Sequence, residues 1–163
     1  MAPPSIELGK GLRYSVEQRE GVTVVALKGH VSEAADFSAL KKLRRQLTLD
    51  LSEITRINSI GVREWSTFVR ECELLGMELT FECCSPAIVS QMGMISNFMG
   101  VRSRVKSVLV PYLCTSCKFE LLDVLELSAR IPVKVALTLR CPSCPETMEL
   151  DDLEETYTAL GPR

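Results

Sequence analysis

Two pairs of cysteines with the spacing Cys-x-x-Cys are the strongest chemical signal in the sequence. They are Cys114 with Cys117 and Cys141 with Cys144. The two-residue spacer places both sulfurs of a pair on one side of a tight turn, and two such turns supply a tetrahedral set of four thiolates. Because four thiolates leave no position open for water or substrate, the motif predicts one structural Zn²⁺ rather than a catalytic ion.

Two other arrangements of these cysteines are a pair of disulfides and a thioredoxin-like redox motif. The chain has seven cysteines, an odd number, and its first ten residues lack the basic and apolar regions of a secretion signal, so a disulfide framework is disfavoured. A redox motif would need a βαβ unit around one isolated pair. We therefore expect a zinc ribbon in a protein of the cytoplasm.

The segment between the cysteine pairs has the pattern of a β-hairpin. It spans 23 residues, with an apolar run at 119–127 and alternating apolar and polar residues at 133–139. We expect residues 111–163 to form the ribbon, ending in an acidic helix over 151–160. A unit of about 50 residues cannot bury a sufficient core alone, and the metal would supply the missing stability.

The distribution of charge argues against nucleic-acid binding by the ribbon. Residues 111–163 carry five Lys and Arg against nine Asp and Glu, whereas residues 1–110 carry fourteen against twelve. Four thiolates around Zn²⁺ would add two more negative charges. Phosphate contacts need a basic face, which this segment lacks. No apolar run approaches the ~20 residues needed to cross a bilayer, so membrane insertion is not expected.

The elements that precede the cysteines alternate between strands and helices. Residues 1–11, rich in Pro and Gly, are expected to form a loose, flexible leader, and the pattern then predicts the order ββαβαβαβ. The expected strands cover 12–18, 22–28, 47–51, 77–82 and 105–112, and the expected helices cover about 32–47, 59–75 and the residues after Ser85-Pro86. The predicted fold class is therefore α/β, with a mixed sheet packed against helices. A small zinc-ribbon β unit is expected to follow it at the C-terminal end of the sequence.

The junction Asn58-Ser59-Ile60-Gly61 opens the second helix. Asn58 or Ser59 could cap this helix by accepting a backbone N–H bond, and Gly61 would allow close packing on the sheet. This purely structural role is sufficient to explain the residues. Trp65, at helical spacing, is expected in the core, and Arg63 and Arg70 are expected to extend the surface.

This order of elements, with Gly29 ending the second strand, Leu49-Asp50-Leu51-Ser52 before the junction and Ser85-Pro86 opening the third helix, resembles the STAS domain. The resemblance covers residues 12–110, and the STAS family includes the bacterial anti-sigma factor antagonists. It implies that Ser59 is the residue phosphorylated by a partner serine kinase, itself the anti-sigma factor. In the family an Asp precedes the phosphorylated residue, and Asn58 occupies that position here. After the second strand, Ser32 stands where antagonists commonly carry another Asp. The implied partner-binding residues are Ser32, Asn58, Ser59, Ile60, Gly61 and Arg63.

These features favour a non-enzymatic regulator that binds a protein partner around Ser59. The alternative is a constitutive STAS scaffold subunit of a bacterial assembly, resembling a stressosome or a lipid transporter's cytoplasmic component. An enzyme is disfavoured, since the sole histidine, His30, has no Ser/Asp partners and no phosphate loop or open metal site is recognisable. Met92, Met94, Phe98 and Met99 are expected in the core, although their exposure would favour homo-oligomers.

Overall fold

The computed structural model describes residues 3–161 as a mixed α/β structure with two β-sheets. Three α-helices occur within these residues, namely α1 (Ser59–Leu74), α2 (Pro86–Met94) and α3 (Glu154–Thr158). The strands are β1 (Ile6–Glu7), β2 (Leu12–Arg19), β3 (Val22–Val31), β4 (Gln46–Ile57), β5 (Glu78–Glu82), β6 (Arg104–Val105), β7 (Ser107–Leu113), β8 (Glu120–Glu126), β9 (Thr138–Arg140) and β10 (Thr147–Leu150). In the same range, no helix combines the length and apolarity that crossing a bilayer requires.

The first sheet contains six strands in the order β1-β2-β3-β4-β5-β6. Strands β1 to β3 pair antiparallel, and β3 to β6 pair parallel. Apolar residues alternate along β4, so that Leu47, Leu49 and Leu51 are all buried on one face. The mixed sheet predicted from the sequence is confirmed.

Helix α1 covers the buried face of this sheet with an aromatic cluster. The ring of Trp65 lies 5.7 Å from that of Phe81 on β5 and meets Phe37 edge-on at 5.6 Å. Trp65 is fully buried, as its spacing predicts. Leu75, which continues the same apolar stripe in the sequence, is instead exposed because the helix ends before it.

The helix predicted over 32–47 does not form. Only a single 3₁₀ turn, Leu40–Lys42, is present. Backbone amides that a helix would use are engaged elsewhere, since the Asp36 amide donates to the Leu8 carbonyl at 2.7 Å and the Ser38 amide donates to the Asp36 carboxylate at 2.9 Å. Phe37 and Leu40 still reach the core, so the helical spacing of apolar residues reflects burial in an irregular connection.

The Pro- and Gly-rich N-terminal segment is not a loose leader over its described part, which begins at residue 3. Ile6–Glu7 adds an antiparallel edge strand to β2, and the side chain of Leu8 is only 2% exposed. Strand β4 also extends to Ile57, beyond the predicted end at Leu51, because Ile54 continues to pack in the core. Residues 1–2 and 162–163 lie outside the described residues.

The second sheet is antiparallel, in the order β8-β7-β10-β9. The single strand predicted over 105–112 is divided, because β6 ends the first sheet and β7 begins the second. The end of β5 bonds to β7, since the Cys84 amide donates to the Ser107 carbonyl and the Leu109 amide donates to the Cys84 carbonyl. The residues from both sheets form one hydrophobic core, which Val108, Met148 and Tyr157 share.

Gly61 and Gly93 provide a matched test of packing in two helices. A Cβ on Gly61 would lie 2.2 Å from the backbone carbonyl oxygen of Val31, whereas a Cβ on Gly93 would meet nothing within 4 Å. We expect Gly61→Ala to lower the free energy of unfolding by about 1–3 kcal/mol through this clash. Gly93→Ala should raise it by up to about 1 kcal/mol through helix propensity. Urea denaturation measures both, and equal effects at the two positions would contradict the packing described.

Candidate functional site

The four cysteines of the two Cys-x-x-Cys pairs meet at one end of the second sheet. Their sulfur atoms all lie within 4.8 Å of one another, and the pairs Cys114–Cys144 and Cys117–Cys141 are each separated by 3.6 Å between Sγ atoms. Four sulfurs bound about 2.3 Å from one tetrahedral ion would be separated by about 3.8 Å. The cluster therefore has the size of a four-thiolate metal site and could hold an ion such as zinc.

Each cysteine pair lies on a tight turn closed by backbone hydrogen bonds. In the first turn, the Lys118 amide donates to the Cys114 carbonyl at 2.8 Å and the Cys114 amide donates to the Phe119 carbonyl at 2.9 Å. Lys118 takes a left-handed conformation with φ of 63° to complete this turn. In the second, the Cys141 amide donates to the Glu146 carbonyl at 3.0 Å. Strands β7 and β8 on one side, and β9 and β10 on the other, hold the two turns together.

Backbone amides inside the first turn favour ionised sulfur. The Cys117 amide bonds to the Cys114 sulfur and, with help from the Ser116 amide, lowers the pKa of that thiol to about 7. In the second turn, the Ser143 amide approaches the Cys141 sulfur at 3.4 Å. Since a thiolate is the metal-binding form, the bonds to Cys114 favour that form at this one sulfur, whereas the three neighbouring cysteines raise the pKa of Cys144. Because metal binding displaces thiol protons, metal affinity should fall as pH falls.

The other three cysteines lie outside the cluster. Cys72 is buried on α1, and burial raises the pKa of its thiol to about 11. Burial likewise raises the pKa of Cys83 and of Cys84 at the end of β5. These thiols stay protonated at neutral pH, and none of the three belongs to the four-sulfur group.

The predicted site at the start of α1 is built around Asn58. Its Oδ1 accepts the Gly61 amide at 2.7 Å, which makes Asn58 rather than Ser59 the N-cap of the helix. Its Nδ2 donates to the Glu33 carboxylate at 2.9 Å. This bond is the leading cause that lowers the pKa of Glu33. Sequence reasoning missed Glu33, because only the fold brings this residue of the β3–β4 connection beside the helix.

The other predicted partner-binding residues divide into exposed and buried groups. Ser59, Ile60 and Arg63 are exposed on the first turns of α1. Gly61 and Ser32 are buried, and the Ser32 hydroxyl accepts the Ala34 amide at 3.3 Å. Gly61 and Ser32 therefore shape the backbone beneath the surface, while Ser59, Ile60 and Arg63 present side chains to solvent.

A cleft next to the start of α1 lies between β3, β4 and the β1–β2 connection. Basic side chains line it, since Lys10, His30 and Arg56 all contribute, together with Asn58 and Glu33. His30 packs on Gly11, where a Cβ would lie 2.1 Å from the imidazole ring. Of the four residues expected in the core, Phe98 and Met99 are buried and Met92 packs against the core, but the prediction is wrong for Met94, which is 68% exposed.

No family model matches the chain, and no curated protein is significantly similar to it.

Replacing the exposed member of the cluster tests the metal centre. The binding free energy of a structural zinc ion is about 10–16 kcal/mol over four ligands, so Cys117→Ser should weaken metal binding by at least about 100-fold. In native mass spectrometry with a chelator as competitor, the variant should lose its metal ion at a chelator concentration at least about 100-fold below the one that strips the wild-type chain. Cys83→Ser, which removes a cysteine outside the cluster, should retain the ion. Equal metal content in both variants would contradict the assignment.

Substitutions of Asn58 separate its two hydrogen bonds. Asn58→Ala removes the helix cap and should lower the free energy of unfolding by about 1 kcal/mol. Asn58→Asp keeps the cap but places a second carboxylate against Glu33, so it should destabilise at neutral pH. That loss should shrink as pH falls below about 4, where the carboxylates are protonated.

Denaturation at several pH values measures these effects, and Glu33→Gln supplies the control. In the background of Asn58→Asp, an amide at position 33 can donate to the new carboxylate, so stability at neutral pH should return. If Glu33→Gln leaves Asn58→Asp as unstable as before, the contact between the two residues is not the cause.

Proposed function

We propose that this chain is a non-enzymatic protein-binding regulator with a STAS-like domain, and that it changes partners through phosphorylation of Ser59. The observation that carries the proposal is the placement of Ser59 as the first residue of α1, exposed and not required as its cap. Asn58 already satisfies the Gly61 amide. The Ser59 hydroxyl is therefore free of a capping role and accessible to a kinase.

The physical effect of a phosphate at this position would be local. A phosphoserine carries about −1.5 to −2 charges at neutral pH, and the N-terminus of a helix stabilises negative charge. The modification would therefore leave α1 folded. It would place that charge beside Ile60, which is 44% exposed and available to an apolar contact. A partner surface shaped for a neutral hydroxyl and an apolar side chain would then be repelled.

Asn58 and Glu33 together would define how a kinase reads the site. In the STAS antagonists that this chain resembles, an Asp precedes the phosphorylated residue. Here that position is Asn58, whose side-chain amide donates to the Glu33 carboxylate at 2.9 Å. The acidic group near Ser59 would then come from the β3–β4 connection. The partner fitting this arrangement is a serine kinase of the anti-sigma type, with transcription as the regulated process.

The cysteine cluster would serve this regulator as a structural zinc site. Cys114, Cys117, Cys141 and Cys144 would hold one Zn²⁺, which supplies cross-linking of the two turns and no reaction chemistry. Cys114 and Cys141 are buried in the same core as the strands of the first sheet. A metal-stabilised second sheet would in this way support the domain that carries Ser59.

A phosphomimetic series tests the switch. The full chain would be used as bait with Ser59→Ala and Ser59→Asp, and with Ser90→Asp as the matched control at an exposed position of α2. Ser59→Asp should lose partners that the wild type, Ser59→Ala and Ser90→Asp retain, with at least a tenfold change in affinity. Phosphopeptide mass spectrometry of protein isolated from cells should identify modified Ser59.

The alternative function is that of a constitutive scaffold subunit, and the same series separates it. If Ser59→Asp retains every partner at unchanged affinity and Ser59 is never modified, the switch is wrong and constitutive assembly is favoured.

A further inference from the structure

The end of α1 opposite to Ser59 carries a group of exposed aliphatic side chains among arginines. Leu74 is 81% exposed, Leu75 is 64% exposed and Val101 is 75% exposed. We define these three residues, with Arg45, Arg70 and Arg102, as the basic-apolar corner. Ser59 and Leu74 are separated by about 22 Å along the helix axis, so the corner is distinct from the start of α1.

Specific contacts fix the segments that form this corner. The Glu73 carboxylate accepts the Val101 amide at 2.8 Å and the Arg102 amide at 2.7 Å, which clamps their loop to α1. Gly100 permits the clamp, because it takes a positive φ of 88° and a Cβ there would lie 2.5 Å from the Glu73 carboxylate. Val101 and Arg102 are therefore held outward by ordered backbone.

The opposite flank of the corner is ordered in the same way. The Arg45 guanidinium donates to the Gly76 carbonyl at 3.0 Å, directly after Leu75. Arg70 lies one turn before Leu74 on the exposed stripe of α1, since residues four apart share a helix face. The leucines are thus bordered by cationic side chains on more than one side.

The acidic groups of the same region are already engaged. The Glu71 carboxylate pairs with Lys41, the Glu73 carboxylate accepts two backbone amides, and the Glu78 carboxylate accepts the Gln46 side chain. The segments 41–46, 70–78 and 100–102 contain six Lys and Arg against three Glu. The corner therefore combines protruding aliphatic groups with a local excess of positive charge, although the whole chain has a net charge of −2.

We propose that the basic-apolar corner docks peripherally on an anionic lipid surface. Aliphatic side chains that project from a surface enter the headgroup–acyl boundary, and nearby Arg residues attract anionic lipids. A protein interface would instead favour a flatter apolar core with aromatic anchors, and the corner has none. Docking here leaves Ser59, at the other end of α1, accessible, and it does not depend on the function proposed for that residue.

Vesicle co-sedimentation of the full chain tests the proposal. Vesicles of phosphatidylcholine alone should bind weakly, and vesicles that also contain phosphatidylglycerol should bind at least tenfold better. Raising the salt so that the Debye length falls from about 10 Å to about 3 Å should remove most of this difference. No binding to the anionic vesicles at low salt would overturn the proposal.

Substitutions locate the binding surface. Leu74→Ser and Val101→Ser should each weaken binding to the anionic vesicles about tenfold, and Arg70→Gln or Arg102→Gln about fivefold. Val124→Ser is the matched control, because Val124 is 49% exposed on β8 between acidic residues, and it should bind like the wild type. Circular dichroism of each variant serves as the control for folding. Equal loss in Val124→Ser, or self-association that Leu74→Ser abolishes while vesicle binding is unchanged, would refute lipid docking.

Discussion

The hydrogen bonding of strand β7 is the constraint on which the rest of the structure depends. One edge of β7 pairs along its whole length with β8. The other edge is shared, because Ser107 and Leu109 bond to Cys84 at the end of β5, while Tyr112 and Leu113 pair with β10. A single strand of the second sheet is therefore also hydrogen-bonded to the segment that follows β5 of the first sheet. Its inward side chains Val108, Val110 and Tyr112 are almost wholly buried, so neither sheet can move without disturbing the other.

That constraint explains why the cysteine cluster and the α/β domain form a common core. Cys114 directly follows β7, and the first cysteine turn is thus an extension of the strand that bonds to Cys84. The second turn returns through β10, whose Met148 is fully buried. Tyr157 on α3 is also fully buried, and its hydroxyl donates to the Asp152 carboxylate at 3.1 Å. Because of these contacts the two sheets share one core, and no linker separates them into independent domains.

Much of the architecture could be predicted from the sequence, because in most segments the spacing of apolar residues fits either a helix or a strand but not both. The parallel strands, α1 with Trp65 inside, and the convergence of four cysteines all follow from spacing that one conformation satisfies best. The segment 32–47 could not be predicted, since Phe37 and Leu40 are apolar at helical spacing although the amide of Asp36 bonds to Leu8. Such a bond joins residues far apart in the chain, and no local pattern reveals it.

The candidate site at α1 was predictable to the same extent. The Asn-Ser-Ile-Gly sequence located the helix start, but two residues could have supplied the cap, and only the hydrogen bond to Gly61 decides for Asn58. Glu33 was hidden because its role requires the β3–β4 connection to return to the helix. The division of the strand over 105–112 was hidden for a related reason: a local pattern records that residues are extended, not which sheet they join.

The shared edge of β7 also imposes an order on biosynthesis. The strands of the first sheet and both of its helices leave the ribosome before β10 and the second cysteine pair are synthesised. During that interval half of one β7 edge has no partner, and the thiols of Cys114 and Cys117 lack the second half of their cluster. Exposed strand edges of this kind are prone to aggregation in folding intermediates. The unpaired half of the β7 edge should therefore persist until β10 and the second cysteine pair have been made, which makes the last quarter of the chain decisive for the yield of folded protein.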